Sequence, residues 1–444
     1  MFASPVVEVA GLVAALATVA PLDPAGDDGR SRRADLTDAE LVDLIRALEE
    51  TKAAAAAAQA RATARLAASQ RAAQRAAGVR RDRIGAGIAA QVALARRTSH
   101  HRGTRDLGLA EVLVHEMPHT LRALGAGVLT EWRATLLARE TACLSLEDRQ
   151  VVDAHMAGDT ATLEALGDRE LVAAARRIAY ELDPHSVVDR NRRAAQERAV
   201  TLRPAPATMA YLTALLPVAD AVAAYAALGR AADSHRGSTA AGRAETERRS
   251  RGQVMADTLL ERLTGRSHAE PVPVEVSLVM TDRTLLADDD EPATLLGYGT
   301  VPADYARYLT AAAADADHAW YRRLYTAPTT GRLLASDSRA THFTAGLARH
   351  LRARDHAVCR TPWCDSPVRH SDHVSALVDG GPTTTDNGQG LCEACNYAKQ
   401  ALDWRARCAA GPRHTVELTT PTGHTYHSTA PPPPGAGRHA TFVT

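Results

Sequence analysis

Apolar and polar positions first settle into a helical rhythm near residue 37. Thr37-Asp38-Ala39-Glu40 has the form of a capping box, and Leu41, Leu44, Ile45 and Leu48 follow at helical spacing. Neither glycine nor proline interrupts the chain before Gly78, so the pattern predicts one long helix. Its second half trades large apolar residues for alanine, with Arg61, Arg65, Arg71 and Arg75 interspersed and no acid from Thr51 to Arg81. Such a face suits either nucleic-acid phosphates or plain solvation while the alanines pack. Ahead of it, residues 21–34 form a polar, Gly/Pro-containing leader without periodicity.

Helical patterns continue to about residue 265, punctuated by Gly103, Pro118, Gly158, Gly167, Pro184, Pro204 and Pro217. The polar stretch 231–252 reads as a mobile loop or the charged start of a helix. At 271–281 the period changes to two, with Val272, Val274, Val276, Leu278 and Met280 on one face, and a strand is expected. The acidic run Asp288 to Glu291, closed by Pro292, reads as a turn. Beyond 411, Val416 and Leu418, a Pro421-Thr422-Gly423 turn and Tyr426 predict a hairpin, followed by the Pro-rich, disordered PPPPGAG end. No internal repeat of fixed period is present.

Composition narrows the picture. At 444 residues the chain has room for two to four units, and the low aromatic content of 4% with long alanine runs favours helix over a β-sandwich. Lys and Arg total 52 against 52 Asp and Glu, so any nucleic-acid contact must come from a local patch. Lysine occurs only at Lys52 and Lys399. The apolar stretch Val9–Ala20 lacks a basic flank and is too short to cross a bilayer, so neither signal peptide nor membrane helix is expected and a cytoplasmic location is.

Six cysteines in a chain of this length do not make a disulfide scaffold, and four of them fall in one window. Cys359 and Cys364 form C-x4-C, Cys392 and Cys395 form C-x2-C, while Cys143 and Cys408 stand apart. Two such knuckles supply four thiolates to one tetrahedral zinc, a closed structural site that would staple a small unit too poor in apolar residues to fold alone. Beside the knuckles lie polar groups that zinc does not use: Asp372-His373, Asn387 and Asn396. Phosphodiester hydrolysis needs a base for water and a divalent cation for the scissile phosphate. A hard cation takes oxygen ligands, which Asp372 and the Asn396 amide offer, and His373 is a base near neutral pH.

The pattern C-x4-C…D-H…N…C-x2-C-N-x2-K resembles the HNH endonuclease family in its ββα-metal form. The resemblance implies that His373 is the general base on the first strand and that Asn387 braces the loop and orients it. It also implies that Asn396, on the helix, binds the catalytic divalent ion (Mg²⁺ or another) with Asp372. Lys399 would touch phosphate, and His370 would make a loop-side phosphate contact or be simply exposed. The last motif position is Asn where many relatives carry His, an H-N-N variant. Residues 95–145, 297–307, 324–343 and 420–426 resemble the helical domain of unknown function, DUF222 or the 13E12 repeat group, that precedes HNH modules in many actinobacterial proteins. Within it, packing is expected for Trp132, and Arg-rich 96–105 could bind nucleic acid or pack.

These readings imply a mostly α chain: a leader (1–35), a long-helix helical domain (36–330), a zinc-stapled ββα-metal module (331–410) and a hairpin with a Pro-rich tail (411–444). The expected function is metal-dependent DNA cleavage, with DNA the partner, no membrane, and the oligomeric state left open. The alternative is a zinc-stapled nucleic-acid-binding or interaction protein whose HNH site is inert.

Overall fold

Helix α2 (Asp38–Ala76) begins where the capping box places it. The Thr37 amide donates to the Glu40 carboxylate at 2.7 Å and the Glu40 amide donates to Thr37 Oγ1 at 3.3 Å. Thr37's donation holds the Glu40 carboxyl below its usual range. The helix ends at Gly78, whose φ of 72° is the left-handed cap that glycine adopts without strain. The computed structural model describes residues 5–17, 36–239, 249–265, 277–315 and 343–433. The chain divides into two compact units, 1–52 and 53–444.

The first unit holds α1 (Pro5–Leu16) and the opening turns of α2. Val6, Val9 and Val13 of α1 face solvent. Among the described residues, no helix is long and apolar enough to cross a membrane. The leader 21–34 lies outside the described residues.

In the second unit a helical core forms around the alanine stripe of α2. Ala53, Ala57, Ala60, Ala64 and Ala67 recur at three- and four-residue spacing and are buried, so neighbouring helices approach closely. Around them pack α3 (Ile88–Arg96), α4 (His100–His115), α5 (Pro118–Gly125), α6 (Glu131–Glu140), α7 (Leu146–Ala157), α8 (Thr160–Ala165) and α9 (Asp168–Leu182). Leu113, Met117, Leu124, Leu129, Leu137, Leu163 and Leu171 are fully buried there, each worth about 1.5–3 kcal/mol. Buried Asp153 of α7 caps α5, accepting from the His119 and Thr120 amides at 2.7 and 2.9 Å. Trp132 is half exposed, its indole N–H donating to Asp168 at 3.1 Å.

After α10 (Pro184–Ala194) the structure departs from the punctuated helical pattern read from the sequence. β1 (Ala199–Pro204) and β2 (Ala210–Leu215) form an antiparallel hairpin, with Ala207 and Thr208 both at positive φ in its turn. The alternation in AVTLRP and AYLTAL is a strand signal that the flanking helical text obscured. The polar stretch 231–252 is largely helical where it is described. Helix α11 runs from Val218 to Thr239, and α12 (Arg251–Thr264) starts on a Ser250–Gln253 capping box; 240–248 lie outside the described residues. Of the strand expected at 271–281, Leu278–Val279 form β3; residues 271–276 lie outside the described residues. β3 pairs with β4 (Ala293–Leu295), which pairs with β5 (Gly299–Val301); α13 (Asp282–Leu286) and α14 (Ala303–Asp315) flank this sheet.

The C-terminal module opens with α15 (Ala345–Arg354). β6 (His370–His373) and β7 (Gly388–Leu391) pair antiparallel, with Asp372 opposite Gln389 and His373 opposite Gly388. α16 (Glu393–Lys399) follows, so the order is β-β-α. The expected hairpin is present as β9 (Thr415–Thr419) and β10 (Thr425–Thr429), turned by Gly423 at φ 81°. A third strand, β8 (Arg405–Ala409), completes that sheet. Residues of the Pro-rich end from 434 onward lie outside the described residues.

Candidate metal centre and active site

The four clustered cysteines close into one cage. Their Sγ atoms lie within 4.8 Å of one another, with Cys364 to Cys392 at 3.8 Å and Cys395 to Cys364 at 3.7 Å. Four thiolates at about 2.3 Å from a tetrahedral zinc stand about 3.8 Å apart, so the donor set fits that ion. All four are buried beside Leu391. The first knuckle turns tightly, with Trp363 at φ 59° and the Cys364 amide donating to the Thr361 carbonyl. The second sits at the start of α16, where the Cys395 amide donates to Cys392 Sγ at 3.4 Å. Hydrogen bonding with Cys359, and less with Cys395, pulls the Cys392 thiol down to about 7, while the same network pushes the Cys359 and Cys395 thiols up. Cys408 sits exposed on β8 and Cys143 packs against the helical core, both outside the cage.

One strand away, β6 carries Asp372 and His373, and α16, packed against β6, carries Asn396 and Lys399. His373 Nε2 lies 2.8 Å from the hydroxyl of Thr383, a residue buried in the loop between the strands. Phe343, just before α15, lies against the His373 ring with centroids 4.6 Å apart. Gly388 makes room for this cover, because a Cβ there would meet Leu351 and Phe343 at 2.7 and 2.8 Å. Asn387 clamps the loop. Its Oδ1 accepts from the Ser375 amide at 2.9 Å, and its Nδ2 donates to the Ser375 and Pro382 carbonyls at 3.0 and 2.9 Å. Both ends of the loop that holds Thr383 are thereby fixed.

Lys399 is turned inward. Its ammonium donates to Asp372 Oδ2 at 2.5 Å and to the His373 carbonyl, so the charge expected at phosphate instead ties α16 to β6. Gln389 donates to the same Asp372 oxygen at 3.1 Å, and Oδ1 receives no hydrogen bond from the described residues. Asn396 is buried and its Oδ1 has no hydrogen-bond partner among the described residues, an orphaned acceptor of the kind a cation satisfies. His370 lies half-buried beside Tyr397, ring centroids 6.2 Å apart.

Residues unmarked in the sequence reading complete the frame. Asp355, fully buried, accepts from Arg354 at 2.8 Å and from the Gly390 amide at 2.8 Å. Arg354 also donates to the Thr385 and Gly388 carbonyls, locking α15 onto β7. Pairing of Asp355 with basic neighbours on both sides in the text (Arg354, Arg360) was the one available signal.

A ββα unit with a four-thiolate cage and an Asp-His pair on its first strand defines a module of the HNH class. Residues 359–402 match the family model described as HNH endonuclease, and residues 44–355 match that described as Domain of unknown function (DUF222). The second match spans most of the chain, which belongs to the DUF222 family and carries a C-terminal HNH module of nuclease type. No curated protein and no solved structure matches the chain.

Proposed function

We propose that the protein is a metal-dependent DNA endonuclease. The observation that carries this reading is the orphaned, buried Asn396 Oδ1 on the helix packed against the Asp372-His373 strand. Asp372 Oδ1 and Asn396 Oδ1 would hold the divalent cation, Mg²⁺ or another, which when bound neutralises charge on the scissile phosphate and the leaving 3′-oxygen. His373 acts as general base toward water. Thr383, in the loop clamped by Asn387, holds the imidazole by its Nε2, and in the tautomer whose Nε2–H donates to that hydroxyl the basic nitrogen is Nδ1. Lys399 fixes Asp372 by one oxygen and the strand by its carbonyl, setting the distance between strand and helix.

One observation favours the alternative of an inert, zinc-stapled binding module: the Lys399 ammonium already neutralises Asp372. Incubating purified protein with supercoiled plasmid and Mg²⁺ or Mn²⁺ separates the two. The nuclease reading expects nicked or linear product, lost by about 10²–10⁴ in rate on His373→Ala. Asp372→Ala and Asn396→Ala should regain activity in excess cation, whereas His373→Ala should not. Cleavage by His373→Ala at the parent rate would refute the assignment.

A further inference from the structure

The structure separates the arginines between Arg61 and Arg83 into two groups. Arg71 pairs with Glu111 of α4, and Arg80 with Asp82 at 2.9 Å. Arg61, Arg65, Arg75, Arg81 and Arg83 are exposed and form no ion pair with any described residue. On α2 the first three share one face: at about 100° per residue, Arg75, Arg61 and Arg65 fall within an arc of about 80°. Arg61 to Arg75 spans about 21 Å at 1.5 Å per residue. One DNA strand presents about six phosphates over that length, at about 3.4 Å each.

This face is not free to swing away from the HNH module. Gln74, buried at the end of α2, donates to the Ala86 carbonyl at 3.0 Å and accepts from the Gly85 amide at 2.6 Å. The chain then passes Gly87, at φ 81°, where a Cβ would meet the Trp404 indole at 2.5 Å and Ala401 at 3.0 Å. Trp404 and Ala401 lie directly beyond α16, and α3 packs against that helix. Arg81 and Arg83 lie on the short connection between these two anchor points.

We infer that Arg61, Arg65, Arg75, Arg81 and Arg83 form a binding site for the phosphodiester backbone of duplex DNA, holding the duplex that flanks the segment presented to His373. Guanidinium groups bind phosphate oxygens bidentately, and five of them without an ion pair among the described residues, three on α2 and two on the connection that follows it, form a local basic surface in a chain of zero net charge. The module's nuclease reading supplies the choice of polymer; the binding itself is measured apart from cleavage.

The test uses full-length His373→Ala protein, zinc-loaded and without added Mg²⁺ or Mn²⁺. Binding to a fluorescein-labelled 30-base-pair duplex is followed by anisotropy from 50 to 200 mM NaCl. Adding Arg61→Gln, Arg65→Gln and Arg75→Gln should weaken binding about 10- to 100-fold at low salt. The slope of log affinity against log salt should become shallower by about 2–3, near 0.9 per lost phosphate contact. Arg81→Gln with Arg83→Gln should act in the same direction, with a slope change of about 1–2. Arg177→Gln with Arg192→Gln, which are exposed but paired with Glu181 and Asp189, should leave both quantities unchanged. Glutamine has good helix propensity, so an unchanged far-ultraviolet spectrum excludes helix loss. Affinity within twofold of the parent and an unchanged slope in both Arg variants would overturn the inference. So would loss confined to a single-stranded RNA probe with duplex binding intact. Loss of plasmid cleavage alone, with these binding results as expected, would count against the nuclease reading and not against this site.

Discussion

Removing the metal from the four-cysteine cage should unfold the HNH module while leaving the helical core folded. The sulfur spacings of 3.7 and 3.8 Å match a single tetrahedral thiolate ion, so one zinc per chain is expected. Structural zinc sites contribute about 10–16 kcal/mol of apparent binding free energy in small modules, comparable to the entire stability of a domain. The module has little to put in its place: the cluster at the cage adds only Leu391 to the cysteines, and its other buried apolar residues larger than alanine are few, chiefly Leu351, Val368 and Val374. The helical core, from Ala53 to Ala179, is a separate cluster that includes none of the cage. Thiol-specific displacement of zinc, read with a chromogenic chelator, should therefore release one equivalent. Near-ultraviolet ellipticity from Trp363 and Trp404 should collapse, and proteolysis should begin within 359–402, while far-ultraviolet helicity changes little. Serine at Cys359, Cys364, Cys392 or Cys395 should reproduce this, and serine at Cys143 or Cys408 should not. Protein purified without chelator yet free of zinc, or a metal-stripped module as protease-resistant as the parent, would refute the reasoning.

Two further outcomes follow from the geometry. Thr383→Val keeps shape but removes the hydroxyl from His373 Nε2; losing a buried partner costs about 1–3 kcal/mol, so kcat should fall about 5- to 150-fold with KM nearly unchanged. Thr383→Ser should restore most of it, and plasmid-cleavage kinetics on both variants decide whether the hydroxyl orients the base. Burial, then the Arg354 charge, push His350 down to about 4. The folded state thus binds its proton more weakly than the unfolded chain, where the value is near 6.5, so its stability contribution is full above 6.5 and is lost as pH falls toward 4. By pH 5 the loss is about 2 kcal/mol. Denaturant titrations of parent and His350→Leu should show the parent losing more between pH 7 and 5, the difference cancelling zinc release common to both.

What the sequence made legible is what depends on neighbours in the text. The long helix was readable because its cap, its apolar spacing and its first glycine are all local, and the cage because each knuckle spans at most six residues. The Asp372-His373 pair was marked by its company. The groups that position it were not, because they reach the site through folding. Thr383 meets His373 across a loop that Asn387 closes, and Asp355 meets Gly390 from 35 residues away. β8 was missed for a related reason: RARCA alternates arginine only with the small residues Ala406 and Cys408, a weak strand signal, and it becomes a strand by pairing with β9.

The same distinction governs the charges. In the text, Arg61, Arg65, Arg71 and Arg75 are equivalent, and either a solvated face or a phosphate track explains them; Arg80, Arg81 and Arg83 follow with Asp82 among them. Folding breaks the tie by bringing Glu111 to Arg71 and Asp82 to Arg80, while no carboxylate of the described residues comes within ion-pair distance of Arg61, Arg65, Arg75, Arg81 or Arg83. It also seats the loop that follows them against Trp404 and Ala401. A solvated face has no need of an anchor on the nuclease-type module, whereas a surface that must present a duplex to His373 does, because a misplacement of about 1 Å at the reacting atoms can cost about 10²-fold in rate.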